Sequence, residues 1–372
     1  MTQKIASQTG QDRAQALREI GARLEALRTE EPGLRIRDAA ERLGISELLA
    51  VQADPGQQVV PLCPEIAAIL KRVPDLGRVM ALTRNHAVVH ERKGVYENLN
   101  FSGHVGLAVG EDIDLRMFMN HWQFALAVTR QAADDRPPAR SLQFFDAAGT
   151  AVHKIHLLPE SRIEAFDALV SDMAAPPEIL RWPSREEPLL PGYLEGREDA
   201  EIDVAGYRAA WDGLRDVHDF HPMTRRFGLA REQALRLAGD SRAHQLAPDA
   251  WQSALATAAE WQVPVMIFAG NTGCIQIHSG PVRRLKVIGD WFNVLDPDFN
   301  LHVRSDLAAR CWVIRRPSDD GLITSLEVFD EMGQSLLTLF GKRKPGLPEL
   351  DLWRDVVETV DSQETLAQAV PA

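Results

Sequence analysis

The segment YRAAWDGLRDVHDFHPMTRRFGLAREQALRLAGD, residues 207–240, holds the residue types with the most chemical reach. Trp211, Leu214, His218 and His221 fall at i, i+3, i+7 and i+10, which predicts one amphipathic helix with both imidazoles on its apolar face. Pro222 lies four residues after His218 and has no N–H to bond the His218 carbonyl. The helix is therefore expected to kink or stop there and open space beside the ring. A neutral imidazole in such a space is a ligand for a transition metal, iron included. Its second ring nitrogen is expected to donate to a carbonyl one turn back, near Leu214. A histidine on an apolar face is more often a satisfied core residue than a ligand.

Cations follow at the ends of helices and strands: Arg231, Arg315 with Arg316, and Lys342, Arg343 and Lys344 in the run GKRK. Arginine meets carboxylates through two-point forks. This set suits a metal complex with two carboxylates, such as haem with its propionates, for which one axial histidine is the usual attachment. Each cation taken alone reads more readily as a solvated surface charge. Arg116 is different, because it sits in DIDLRMFMNHW among Leu115, Met117, Phe118 and Met119. An alternating strand would place Arg116, Phe118 and Asn120 on one face. A buried cation there needs partners, and beside an aromatic it suits the open face of a macrocycle, where donors hold water or dioxygen. The alternative is an edge strand with Arg116 in solvent.

The elements that must position these residues come in two copies. SLQFFDAAGTAV at 141–152 recurs as SLEVFDEMGQSL at 325–336, VMALTRN at 79–85 as VMIFAGN at 265–271, and RIRDAAERLG at 35–44 as LAREQALRLA at 229–238. EDIDLRMFMNHWQFALAVTR at 111–130 lines up with PDFNLHVRSDLAARCWVIRR at 297–316, and His90 falls opposite His278. At the offset of His218 the first copy has Leu24, so only the second offers a ligand there. The period is too long for a solenoid and reads as a tandem duplication. The expected organisation is an N-terminal repeat over 13–173, a proline- and acid-rich linker over 174–205, and a C-terminal repeat over 206–365 with the ligand histidine. In each copy helical spacing precedes alternating β-formers and turns, which predicts an α+β fold. Two large, mainly antiparallel sheets, one per copy, are expected to pack together at the centre.

Composition narrows the function classes. A net charge of −12 over 372 residues argues against a non-specific DNA coat or an anionic membrane as main partner. Three cysteines, Cys63, Cys274 and Cys311, with no Cys-x-x-Cys pair, fit a reducing compartment. Cys63-Pro64 resembles a thiolate haem ligand, against a plain reading as a small apolar residue before proline. No apolar run reaches the length of a membrane span and the N-terminus has no apolar signal core, so the expected location is the cytoplasm. His-Glu-x-x-His, Walker A and dinucleotide-loop motifs are absent, and His86, His90 and His104 lack ligand spacing.

DIDLRMFMNHW, DVHDFHPMTRRFGLAREQALRLAGD, VIGDWFNVLDPDFNLHVR and SLEVFDEMGQSLLTLFGKR together resemble the hemin-degrading factors, also called haem utilisation and haem-transport proteins, of the HemS/ChuS/HmuS/PhuS type. The likeness runs from RIRDAAERLG to LFGKRKPG. It implies two repeats with stacked sheets and one haem between the halves. His218 would be the axial ligand, Arg116 the distal arginine with Phe118 beside it, and Arg231, Arg316 and Arg343 the pocket cations. His221 would be a second histidine that some trafficking members use as an alternative ligand. Where some members have a pocket tyrosine, this chain has Leu336 and Leu337.

Three functions stay in competition. One is haem degradation by oxygenase-like ring opening with iron release, Arg116 serving catalysis and electrons coming from an external reductant. The second is a carrier that takes haem from an inner-membrane importer to a separate haem oxygenase. The third, more remote, is a helix-turn-helix DNA regulator built on LRIRDAAERLGISELLAVQA, whose second helix carries an acid and no base. A homodimer remains one outcome for the apo-protein.

Overall fold

The computed structural model describes residues 10–131, 137–180, 196–343 and 346–369. The first copy contributes β1 (Gln57–Pro61), β2 (Val79–Arg84), β3 (Val88–Gly94), β4 (Asn100–Ser102), β5 (Val105–Val109), β6 (Asp114–Phe118), β7 (Phe124–Arg130), β8 (Ala139–Phe145) and β9 (Ala151–Leu157). The second contributes β10 (Ala243–Leu246), β11 (Val265–Gly270), β12 (Cys274–Gly280), β13 (Leu285–Ile288), β14 (Trp291–Leu295), β15 (Phe299–Arg304), β16 (Arg310–Ser318), β17 (Gly321–Phe329) and β18 (Ser335–Gly341).

Two nine-stranded sheets result, in the orders β1-β7-β8-β9-β2-β3-β15-β14-β13 and β10-β16-β17-β18-β11-β12-β6-β5-β4. The α+β reading with large antiparallel sheets holds. One sheet per copy does not: each copy gives six strands to one sheet and lends three to the other. Alternation along a strand tells which side chains are buried, not which sheet buries them. The chain accordingly divides into two compact units, one of residues 1–82, 93–188 and 272–274, the other of 83–92, 189–271 and 275–372.

The duplication is visible in detail. Asp146 N bonds Thr150 O and Asp330 N bonds Gln334 O, each closing the same tight turn. Each turn needs a glycine at positive φ, Gly149 (77°) and Gly333 (75°), which explains why FD-x-x-G survives in both copies. Asn85 donates to Gly270 O, and its duplicate Asn271 donates to Arg84 O.

Each unit has its own apolar core. In the first, Leu70, Leu76, Leu115, Met117, Leu142, Phe144 and Ile155 are buried together. In the second, Trp251, Ile267, Phe299, Val313, Leu326, Leu339 and Trp353 do the same. Trp353 lies on the C-terminal helix Asp351–Ala369 and donates from Nε1 to Thr324 O of β17, anchoring that helix.

Helices Ile36–Leu43 and Glu47–Ala53 form the segment with helix-turn-helix character. Glu47, Leu48, Ala50, Val51 and Ala53 of the second helix are buried, and Glu47 pairs with Lys154. A recognition helix must present its side chains to a groove, so this pair is a packing element. Among the described residues no helix is long and apolar enough to cross a membrane.

Candidate functional site

The predicted continuous helix through Trp211, Leu214, His218 and His221 is three elements. Helix Val204–Asp212 buries Tyr207 and Trp211 and stops at Gly213. A 3₁₀ turn, Val217–Asp219, follows, and then helix Phe220–Phe227, ended by Gly228 at φ 67°. Pro222 stands in the first turn of that last helix, where its missing N–H costs nothing; it neither kinks nor ends it. The apolar stripe therefore breaks after Leu214. Trp211 and Leu214 are buried, whereas the His218 side chain is 88 % exposed and faces solvent.

His218 Nδ1 lies 2.5 Å from Asp216 Oδ1, and the same oxygen accepts the His218 backbone N–H at 2.7 Å. The expected carbonyl near Leu214 is not the partner. The two bonds from His218 hold the Asp216 carboxyl below its usual range, the backbone N–H first. His218 Nε2 makes no hydrogen bond among the described residues. Arg215 forks onto Asp319 at 2.9 Å for both bonds, and Asp319 N bonds Arg215 O, which ties the turn to the β16–β17 hairpin. Arg343 pairs with Asp320 of that hairpin at 3.2 Å and contributes to holding Asp216 ionised. Lys344, the last cation of the GKRK run, lies outside the described residues.

Behind the turn lies a charged floor. Arg231 forks onto buried Glu327 (2.9 and 2.7 Å), and Arg316 reaches the same carboxylate at 3.8 Å. Both guanidinium groups lie over the Phe220 ring, Arg316 at 4.4 Å and Arg231 at 4.8 Å. Burial alone would push the Glu327 carboxyl up, but the two arginines outweigh it and hold it below the usual range. Burial, then Arg231, brings Arg316 down to about 9. Arg316 is thus a buried cation, not a solvated one, and its Nε and Nη2 have no hydrogen-bond partner among the described residues.

His221 belongs to this floor. Its Nε2 is 3.1 Å from Arg231 Nη1; arginine only donates, so Nε2 is the acceptor and its lone pair is engaged. His221 keeps an exposed edge, yet desolvation of its ring, then the Arg231 cation, holds the imidazole down to about 4. Arg315 points elsewhere, toward His244 and Asp361.

Arg116 and Phe118 lie in the other unit, on β6. Asp114, Arg116 and Phe118 share a face by alternation, whereas Asn120 has left the strand for a 3₁₀ turn. Arg116 is half-exposed and pairs with Asp114, whose carboxyl burial raises against the opposing pull of that arginine. Cys63 is partly buried against Met173, and burial raises its thiol pKa, which disfavours the thiolate a metal would need.

The structure thus brings His218, His221, Arg231, Arg316 and Arg343 into one unit. Sequence reading missed Asp216 and Glu327. Both left a signal: Asp216-x-His218 has N-cap spacing, and Glu327 stands where the first copy has neutral Gln143.

The residues present fit a haem. An imidazole with its Nδ1 taken and its Nε2 bare could ligate the iron, and a buried guanidinium whose Nε and Nη2 make no hydrogen bond among the described residues could donate to an anion.

Comparison with known proteins points the same way. The model of the haemin-degrading HemS/ChuX domain matches residues 44–173 and 228–360. The hemin transport protein HmuS of Yersinia pestis is 33 % identical over 91 % of this chain and 96 % of its own length. Holo-PhuS, a heme-binding protein from Pseudomonas aeruginosa, superposes with a TM-score of 0.87 at 43 % identity, covering 92 % of this chain and 98 % of its own. ChuS, an E. coli heme oxygenase, gives a TM-score of 0.81 at 28 % identity, covering 92 % and 99 %.

Proposed function

Since the chain belongs to the haemin-degrading HemS/ChuX family, we propose that it binds one haem through His218 Nε2 and serves haem utilisation in the cytoplasm. The observation that carries this is the Asp216–His218 pair: a 2.5 Å bond fixes the ring and leaves the opposite nitrogen bare and exposed. Arg343 is close enough to steady Asp216 electrostatically, and it supplies positive charge near the turn for a propionate. Arg231 and Arg316 form a second cationic patch behind Phe220. Arg116 and Phe118 are the distal pair in this reading.

Of the two fates for the haem, transfer is favoured by the exposed position of the ligand, on a surface turn that a partner can approach. The names of two relatives, a hemin transport protein and a heme-binding protein, support it. The partners in that case are an importer and a separate oxygenase. Ring opening is favoured by the likeness to ChuS and by Arg116, a half-exposed donor on the strand face that also carries Phe118. Bound haem would itself supply the redox chemistry, with electrons from an external reductant. Arg116 would orient a hydrogen-bonded ligand, and His218 would hold the macrocycle. A single-turnover experiment separates the fates. Haem-loaded protein is given ascorbate or a reductase in the presence of catalase. Ring opening yields a stoichiometric tetrapyrrole product, whereas a carrier returns intact haem and passes it to an added oxygenase.

A further inference from the structure

We infer that Asp216 is a positioning residue that sets the donor strength of His218 toward iron, an inference that rests on His218 being the ligand. A carboxylate can only accept, so the proton of the neutral ring must sit on Nδ1 and the lone pair on Nε2. Asp216 Oδ1 takes two donors of one residue, the ring Nδ1–H at 2.5 Å and the backbone N–H at 2.7 Å. Ring tautomer and ring orientation are therefore fixed by one oxygen. By drawing on the Nδ1 proton, the carboxylate also raises electron density on Nε2, as carboxylate partners of metal-bound histidines do.

The carboxylate is itself held. Arg215, next in the chain, forks onto Asp319, and Asp319 N bonds Arg215 O, so the segment carrying Asp216 is tied to the β16–β17 hairpin at two points. In the free protein both partners are open to water, His218 88 % and Asp216 57 % exposed, and their attraction is screened. A flat macrocycle seated on Nε2 would exclude that water and strengthen the pair. Asp216 thus acts most strongly once the ligand is loaded.

Asp216→Asn keeps an oxygen that accepts both hydrogen bonds and removes only the charge. In haem-loaded protein the iron–histidine stretch, read by resonance Raman on the ferrous form, is expected at lower frequency in the variant. The iron reduction potential is expected to rise, and haem affinity to fall about tenfold to a hundredfold. In free protein, ¹⁵N NMR of His218 is expected to move from a pure Nδ1–H tautomer toward a mixture. A role confined to capping the turn would lower the melting temperature of Asp216→Ala and leave stretch and potential of Asp216→Asn at wild-type values; that result overturns the inference. A wild-type stretch that survives His218→Ala overturns the ligand assignment and the inference with it. A stretch lost in His218→Ala but unchanged in Asp216→Asn overturns the inference alone.

Discussion

Leu24 and His218 occupy corresponding positions of the two copies and have opposite fates. Leu24 lies inside the unbroken helix Gly10–Glu30, fully buried among Ala39, Ala40 and Ala50. His218 lies on a 3₁₀ turn, because the second copy breaks the same stretch at Gly213 and restarts it at Phe220. One copy uses the position for packing. The other exposes it, caps it with Asp216 and rests the next helix on a charged floor. A duplicated scaffold thus acquires a candidate ligand by breaking a helix, without altering the strand order around it.

The charged floor offers the largest effect that sharpens this contrast. Glu327→Ala leaves Arg231 and Arg316 facing each other with no carboxylate between them. Losing one partner of a buried ion pair costs about 3–5 kcal/mol, so the variant is expected to unfold at markedly lower urea concentration. Glu327→Gln, which restores the first copy's residue, is expected to lose less. On the packed side, Leu24→Ala is expected to cost about 2–5 kcal/mol. Leu24→His is expected to cost at least as much, because an imidazole there has no partner, and to create no second haem site. An added equivalent of bound haem in Leu24→His would break the comparison.

The smallest effect concerns the second histidine. Burial first and Arg231 second hold His221 down to about 4; Arg231→Gln removes the second, so the pKa is expected to climb part of the way toward 6.5 in an NMR titration. A depressed histidine favours the neutral folded form. Its contribution to stability is present above about pH 6.5 and lost as pH falls toward 4, and that acid loss should shrink in the variant. The freed Nε2 is also expected to compete for iron, visible as a mixed spectrum with His218→Ala. An unchanged His221 titration would show that the 3.1 Å contact does not persist in solution.

Much of the fold was legible because duplication is a global signal. Repeated FD-x-x-G turns, paired asparagines and the two short arginine-bearing helices all appear where the alignment puts them. Strand exchange between sheets was not legible, since alternation is the same whichever sheet receives the strand. At the site, residue types were readable and geometry was not. Periodicity ran Trp211, Leu214, His218 and His221 into one helix because Gly213 and Asp216 weigh little in an apolar pattern, yet they end and cap it. Pro222 was read as a helix breaker, although in a first turn it is tolerated. Arg316 reads as a surface cation until β17 places Glu327 beneath it, a charge that the neutral Gln143 of the first copy flags by contrast.

A haem titration of the wild type beside His218→Ala, followed by absorption and by resonance Raman, tests the central claim most directly. The account predicts saturation at one equivalent with an iron–histidine stretch in the wild type. In the variant it predicts loss of that stretch and an affinity weaker by more than about a hundredfold, beyond what losing an outer-shell partner does. Equal affinity and an identical stretch in the two proteins would contradict it.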